Sequence, residues 1–314
     1  MPPRAIRSLH FASRATSLHD PRMRFRKITL AGVGLLGGSI GLAVKARGLA
    51  ECVAGLVRRP ESIEECRALG VTDYATLEAK EAAQDADLVV LCTPISRMRA
   101  VVDSMLLALK PGVIVTDVGS VKGCVVEELE PVAASAGAIF VGSHPMAGSE
   151  QVGPRWARAS LFEGAVCVVT PSEKSPETTV AVVEEFWNDV GGISVRLSPK
   201  AHDGLVSRSS HLPHVVAAGL ASHVLGPGRP REQAMLCANG FRDTTRIASG
   251  SPDMWRDIAL ANRHNLARAL SGFIEDLDGF RRALERSDAA AVQKYFETAQ
   301  GLRDQWTAGS NPAE

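Results

Sequence analysis

From Lys27 onward the chain alternates short apolar runs with longer stretches of helical spacing. The apolar runs fall at 28–31, 52–57, 88–92, 113–117, 139–142, 166–170 and 193–197. Most are unbroken and rich in Val, Ile and Leu, as expected of strands covered on both faces. Helical stretches fill the intervals, for example at 39–47, 62–69, 97–109 and 178–190. Strand and helix in alternation predict an α/β, doubly wound, parallel sheet. Pro199 closes the last strand, and beyond residue 200 no strand pattern remains. Helical segments are predicted there at 202–225, 231–249, 252–286 and 288–306, with Gly226-Pro227-Gly228 and Gly250-Ser251-Pro252 as breakers. The expected organisation is an extension over 1–24, an α/β domain over 25–198, an all-helical domain over 199–306 and a tail over 307–314.

In the segment at 252–286, Leu266, Leu270, Phe273, Leu277, Phe280 and Leu284 recur with alternating steps of four and three. Two readings stand: a stripe facing the chain's own core, or a seam between two subunits. Composition narrows the class without naming it. The 314 residues suffice for two cores, and a net charge of zero with 22% charged residues argues against a nucleic-acid partner. No apolar run approaches bilayer thickness, so no membrane partner is expected. The six cysteines are scattered without C-x-x-C spacing, which reads as reduced thiols of a cytoplasmic protein with no metal site. Residues 1–24 carry Arg4, Arg7, Arg14, Arg22 and Arg24 against one acid, Asp20. That composition resembles a transit peptide; a poorly ordered tail, or an extension upstream of a natural start at Met23, is the favoured reading.

The most informative segment is Lys27-Ile28-Thr29-Leu30-Ala31-Gly32-Val33-Gly34-Leu35-Leu36-Gly37-Gly38-Ser39. It is an apolar strand running through Gly-x-Gly-x-x-Gly into a helix. Gly32 allows the tight turn, Gly34 lets backbone approach a diphosphate, and Gly37 lets helix and strand pack closely. The diphosphate then lies over the helix start at Leu35 and Leu36, where free N–H groups and the helix dipole favour negative charge. This is the dinucleotide-binding fingerprint of a Rossmann-type domain. An acidic residue about twenty positions on holds the ribose of NAD. Here that place is Val57, followed by Arg58 and Arg59. Two guanidiniums suit a 2′-phosphate, so NADP is favoured over NAD; the competing reading makes both arginines solvated loop residues.

Ligands of such sheets bind beyond the strands' carboxyl ends. Thr93-Pro94 and Gly119-Ser120 are expected to wall the nicotinamide, and His144, in Gly142-Ser143-His144-Pro145, is the standout titratable group. An imidazole there can take a proton from a hydroxyl. The helical half adds His202-Asp203, Ser210-His211-Leu212-Pro213-His214, Gly240-Phe241-Arg242-Asp243-Thr244-Thr245-Arg246 and Trp255. Arg242 and Arg246, four apart, are expected on one helix face. Arg246, flanked by Ile247 and Ala248, is a candidate carboxylate clamp. His211 and His214 read as substrate contacts, interdomain hydrogen bonds or capping groups.

Together these motifs resemble the prephenate/arogenate dehydrogenase family of tyrosine biosynthesis: G-V-G-L-L-G-G-S, L-C-T-P, T-D-V-G-S-V-K, G-S-H-P-M-A-G-S-E, S-H-L-P-H and G-F-R-D-T-T-R-I-A, in that order, across roughly 28–274. The resemblance implies a nucleotide-binding domain followed by a helical dimerisation domain, with the active site between them. It implies oxidative decarboxylation, with hydride passing from ring C4 to the nicotinamide. His144 matches the family's catalytic histidine and Ser120 the serine that orients it. Arg246 matches the arginine on the ring carboxylate, His214 a histidine near the substrate side chain, and Glu150, Asp243 and Trp255 cleft residues. No metal is implied. Two other readings remain: a dehydrogenase or reductase of the β-hydroxyacid or imine type, for which Lys200 would be the helical-domain lysine, and a nucleotide-binding sensor.

Overall fold

The computed structural model describes residues 24–310, so both readings of the amino-terminal extension lie outside the described residues apart from Arg24. Its first half is a six-stranded parallel sheet in the order β3-β2-β1-β4-β5-β6. The strands are β1 (Phe25–Ala31), β2 (Ala50–Leu56), β3 (Tyr74–Thr76), β4 (Leu88–Leu91), β5 (Ile114–Asp117) and β6 (Ile139–Phe140). Helices α1 (Leu35–Arg47), α2 (Glu61–Ala68), α3 (Ala79–Ala83), α4 (Ile95–Met105) and α5 (Gly123–Ser135) connect them. The unbroken apolar strands are explained by burial on both faces. Leu88 and Val90 of β4 join Ile40 and Val44 of α1 in one cluster. Val89 and Leu91 join Met98 and Val102 of α4 and Leu129 of α5 in the other. This is the alternation that a two-sided strand requires.

The run at 139–142 does not form one strand. β6 ends at Phe140, and Val141 N–H still donates to the Val115 carbonyl at 2.9 Å before the chain leaves the sheet. β7 (Gly142–Pro145) then opens a second sheet, antiparallel to β8 (Val166–Thr170), which pairs in parallel with β9 (Ile193–Arg196). The strands expected at 166–170 and 193–197 therefore belong to this smaller sheet. The helix α6 (Glu177–Asp189) covers the remaining side, placing Phe186 and Trp187 in the cluster of α1. Strand β3 has no counterpart among the expected strands. Tyr74-Ala75-Thr76 is too short to carry a period of its own.

The second half is helical: α7 (Pro199–Val206), α8 (Leu212–Leu225), α9 (Arg231–Met235), α10 (Asn239–Thr245), α11 (Pro252–Ala261), α12 (Arg263–Glu285) and α13 (Ala289–Ser310). A π turn over Ser207–His211 joins α7 to α8. The long helix expected over 252–286 is broken at Asn262, whose amide leaves the helix to serve the site described below. No helix among the described residues is long and apolar enough to cross a membrane.

Candidate active site

The parallel sheet puts the ends of β1, β2, β4 and β5 along one edge, where the fingerprint glycines, Arg58 and Arg59, Thr93 and Pro94, and Gly119 and Ser120 follow. Gly32 turns with φ of 101°, in the left-handed region, and a Cβ there would stand 2.9 Å from the Cys92 carbonyl oxygen. A Cβ on Gly37 would collide with the Gly32 carbonyl, so the start of α1 lies against the turn. Gly34, by contrast, faces open space, and α1 begins there with no side-chain cap and no acid in its first turn. The N–H groups around Leu35 and Leu36 are thus free to meet a diphosphate. Beside this turn, Thr93 Oγ1 is buried without a hydrogen-bond partner. An open cradle, an uncapped helix end and an orphaned hydroxyl fit a dinucleotide. Val57 is buried, whereas Arg58 and Arg59 are exposed between β2 and α2.

The strand carrying His144 is pinned by a buried ion pair absent from the sequence-based site. Asp117, the last residue of β5, accepts from the Ser143 N–H at 3.1 Å and the Gly119 N–H at 2.8 Å. Ser143 Oγ donates to the Asp117 carbonyl at 2.6 Å. Lys122, fully buried, ion-pairs with Asp117 and donates to the Ser143 carbonyl at 2.8 Å. Burial pulls the Lys122 ammonium below its ordinary range, and the Asp117 charge opposes this. β7 is therefore clamped to the end of β5 by side chains instead of a backbone ladder, which lets it turn away from the sheet beside the cradle. Asp117 and Lys122 sit inside T-D-V-G-S-V-K, beside Gly119 and Ser120. A lysine among small and apolar residues was the available signal.

His144 is consequently within a strand of the second sheet, not just past the end of a strand of the first. The residue is buried, 7% exposed, and its ring lies across the domain junction from α7. His144 Nδ1 is 2.9 Å from His202 Nε2, and His202 Nδ1 is 2.8 Å from Asp203 Oδ1. The Asp203 carboxylate also accepts the Lys122 and Gly123 N–H groups, each at 2.8 Å, capping the start of α5 from the opposite half of the molecule. Burial pushes the His144 imidazole well below the usual histidine range, with His202, Lys122 and His211 adding to the effect. It is neutral at neutral pH, as a proton acceptor must be. Asp203, although part-buried, is held below the usual carboxylate range by His202 and the two N–H groups.

A second cluster adjoins the first. His211 is fully buried, with Nδ1 3.2 Å from Asn262 Nδ2, while the same amide donates to the Asp203 carbonyl at 2.9 Å. Burial lowers the His211 imidazole to about 4; the Asp203 charge and the Ser120 backbone pull the other way. His214 donates from Nδ1 to the Ser210 carbonyl at 2.9 Å and stacks on Trp255, ring centroids 3.8 Å apart. Trp255 is seated against Gly250, where a Cβ would stand 2.7 Å from the indole nitrogen. Arg246 reaches Glu150 at 3.2 Å across the two halves, and its charge is felt at His214.

His144, Glu150, His214, Arg246 and Trp255 are thus brought into one neighbourhood. Ser120 is half-buried with its backbone near His211. Asp243 is exposed on α10. Arg242 and Arg246 have different partners: α10 ends at Thr245, Arg242 turns to Asn239 at 3.5 Å, and Arg246, which opens a tighter 3-10 turn, reaches Glu150. Lys200 is exposed on α7. His202, Asp203, Asn262, Asp117 and Lys122 complete the neighbourhood beyond the sequence-predicted site.

Strand order and cradle together place the protein among the nicotinamide-dinucleotide oxidoreductases with a Rossmann-type domain followed by a helical domain. Residues 40–196 match the family model described as prephenate dehydrogenase, nucleotide-binding domain, and residues 198–298 match that described as prephenate dehydrogenase, dimerization domain. The chain belongs to the prephenate dehydrogenase family. It is 35% identical to a cyclohexadienyl dehydrogenase of Zymomonas mobilis, over 89% of this chain and 95% of the relative. It is 36% identical to a prephenate dehydrogenase of Bacillus subtilis, over 88% and 75% of the two chains. Among solved structures, prephenate dehydrogenase from Aquifex aeolicus in complex with hydroxyphenyl propionate and NAD+ superposes with a TM-score of 0.83 at 32% identity, covering 89% of this chain and 98% of that one.

Proposed function

We propose that this chain oxidatively decarboxylates a 1-carboxy-4-hydroxycyclohexadiene of the prephenate and arogenate type, in tyrosine biosynthesis, with NADP preferred to NAD. The observation that carries the reading is the His144 imidazole: buried, neutral and set beside a dinucleotide cradle. The names of the relatives support the substrate class, and the hydroxyphenyl propionate in the Aquifex structure is an aromatic acid of the product's kind. Arg58 and Arg59, exposed where the ribose acid of NAD enzymes stands, favour the 2′-phosphate.

When bound, the oxidised dinucleotide supplies the hydride acceptor for ring C4. His144 takes the C4 hydroxyl proton on the ring nitrogen not turned to His202. Ser120 orients the same hydroxyl. Arg246 exchanges its exposed contact with Glu150 for the ring carboxylate, which leaves as carbon dioxide while the ring becomes aromatic. His214, stacked on Trp255, bounds the substrate side chain, and Asp243 and Glu150 lie at the mouth of the cleft. Aromatisation drives the reaction, so positioning and one base are what the protein must add. The helical domain forms a homodimer, its exposed α12 stripe supplying the seam.

The test is a comparison of prephenate and arogenate, each with NADP and NAD. Turnover of at least one pair is expected, NADP giving the higher kcat/KM. His144→Asn is expected to lower kcat about 10²- to 10⁴-fold with little change in KM. No turnover of any pair, or near-normal turnover without His144, overturns the reading.

A further inference from the structure

Asp203, His202 and His144 form a chain whose hydrogen positions are determined from one end. Both carboxylate oxygens of Asp203 accept backbone N–H groups, at 2.8 Å from Lys122 and 2.8 Å from Gly123. A carboxylate so placed has only acceptors to offer, so His202 Nδ1, 2.8 Å from Oδ1, carries a hydrogen and donates. In the neutral ring His202 Nε2 is then a lone pair. Its partner at 2.9 Å, His144 Nδ1, must be the donor of that bond. A neutral His144 with hydrogen on Nδ1 has its own lone pair on Nε2.

We infer that His202 and Asp203 are positioning residues that fix His144 in the Nδ1–H tautomer, presenting Nε2 as the proton-accepting atom of the reaction. This rests on the reading of His144 as base. The chain also answers the charge that appears during turnover. When Nε2 gains the hydroxyl proton, the Nδ1–H bond to His202 strengthens, and the Asp203 carboxylate lies one ring away. The groups facing His144 are His202 from α7, Lys122 from the loop after β5 and His211 from the π turn, with Asp203 beyond His202. Lys122 is occupied by Asp117 and the Ser143 carbonyl, so His202 alone is bonded to Nδ1. The junction is built for this approach: a Cβ on Gly123 would stand 2.9 Å from Asp203 Oδ2.

The experiment combines ¹⁵N-histidine spectra of the full-length protein with kinetics of three variants. In the unsubstituted protein the His144 ring, assigned by its loss in His144→Asn, is expected to show a protonated Nδ1 and a bare Nε2. His202→Phe is expected to lower kcat about 10²-fold with KM changed by less than about threefold. His202→Gln, whose side-chain oxygen reaches the place of Nε2 and can accept from His144, is expected to restore at least a tenth of the activity. A hydrogen on Nε2 in the unsubstituted protein overturns the inference, whether or not the variants fold. So does unchanged kcat in His202→Phe, or equal losses in the Phe and Gln variants. Activity retained in His144→Asn would instead overturn the base assignment itself.

Discussion

In the nucleotide-binding half both faces of the sheet are covered by the chain's own helices, down to fully buried Phe186, Trp187, Leu88 and Met98. In the helical half Ile274, Leu277 and Leu284 of α12 and Phe296, Leu302 and Trp306 of α13 stand in solvent, and Leu266 and Ala283 are the buried residues of α12. The difference teaches where each half finds its stability. The first closes a core within one chain. The second presents an apolar face of the kind that marks an interface. The stripe at steps of four and three is a core stripe only at its start, Leu266, and its far end pairs with α13 alone, Phe280 meeting Tyr295 at 4.6 Å between ring centroids.

The contrast can be broken hardest at Lys122. Lys122→Met leaves the Asp117 charge buried and unpaired, a loss of about 3–5 kcal/mol. Urea unfolding followed by tryptophan fluorescence, with Trp187 inside the first half, is expected to show that loss, together with loss of turnover as β7 comes free. An unchanged midpoint would mean that Asp117 and Lys122 do not hold the strand. The opposite outcome is expected on the other side of the molecule. Leu277→Asp should change the stability of the isolated chain by no more than about 0.5 kcal/mol while moving its sedimentation from dimer to monomer. A dimer that survives it places the seam elsewhere.

The smallest expected effect is pH dependence, and it falls at the junction. His144 and His211 have folded pKa values below the ordinary 6.5, His211 at about 4, so below 6.5 the unfolded chain binds protons that the folded chain refuses. Their contribution is complete above 6.5 and declines as the pH falls towards 4. Unfolding midpoints should drop between neutral pH and pH 5, and His211→Phe should flatten the slope. A slope unaltered by that substitution would assign the acid sensitivity to other groups.

Much of the first half was legible because its signals are local. The fingerprint glycines must lie at a strand-to-helix turn, and unbroken apolar runs must lie in a two-sided sheet. The departure of β7 was not legible, since Ser143 leaves the ladder for a carboxylate presented by Asp117, a residue distant in sequence. The same limit hid Asn262. An asparagine in a long helical pattern reads as a surface residue, and only the packing of the π turn against α12 turns its amide inward between Asp203 and His211. The surroundings of His144 were not legible, because its neighbours His202 and Asp203 come from across the junction.

The π turn over Ser207–His211 holds about one residue more than a regular helical turn, and this sets how α8 faces the site. Each residue of a regular helix advances the face by about 100°. Were the turn to relax into regular α-helix with all its residues kept, a locally more favourable state, the side chains beyond it would point about a quarter-turn away. His214 would leave the indole of Trp255, and His211 would leave Asn262. The angular phase of α8 relative to α7 is therefore a property of the site in its own right, one that regularising the turn can destroy while every named side chain is still present.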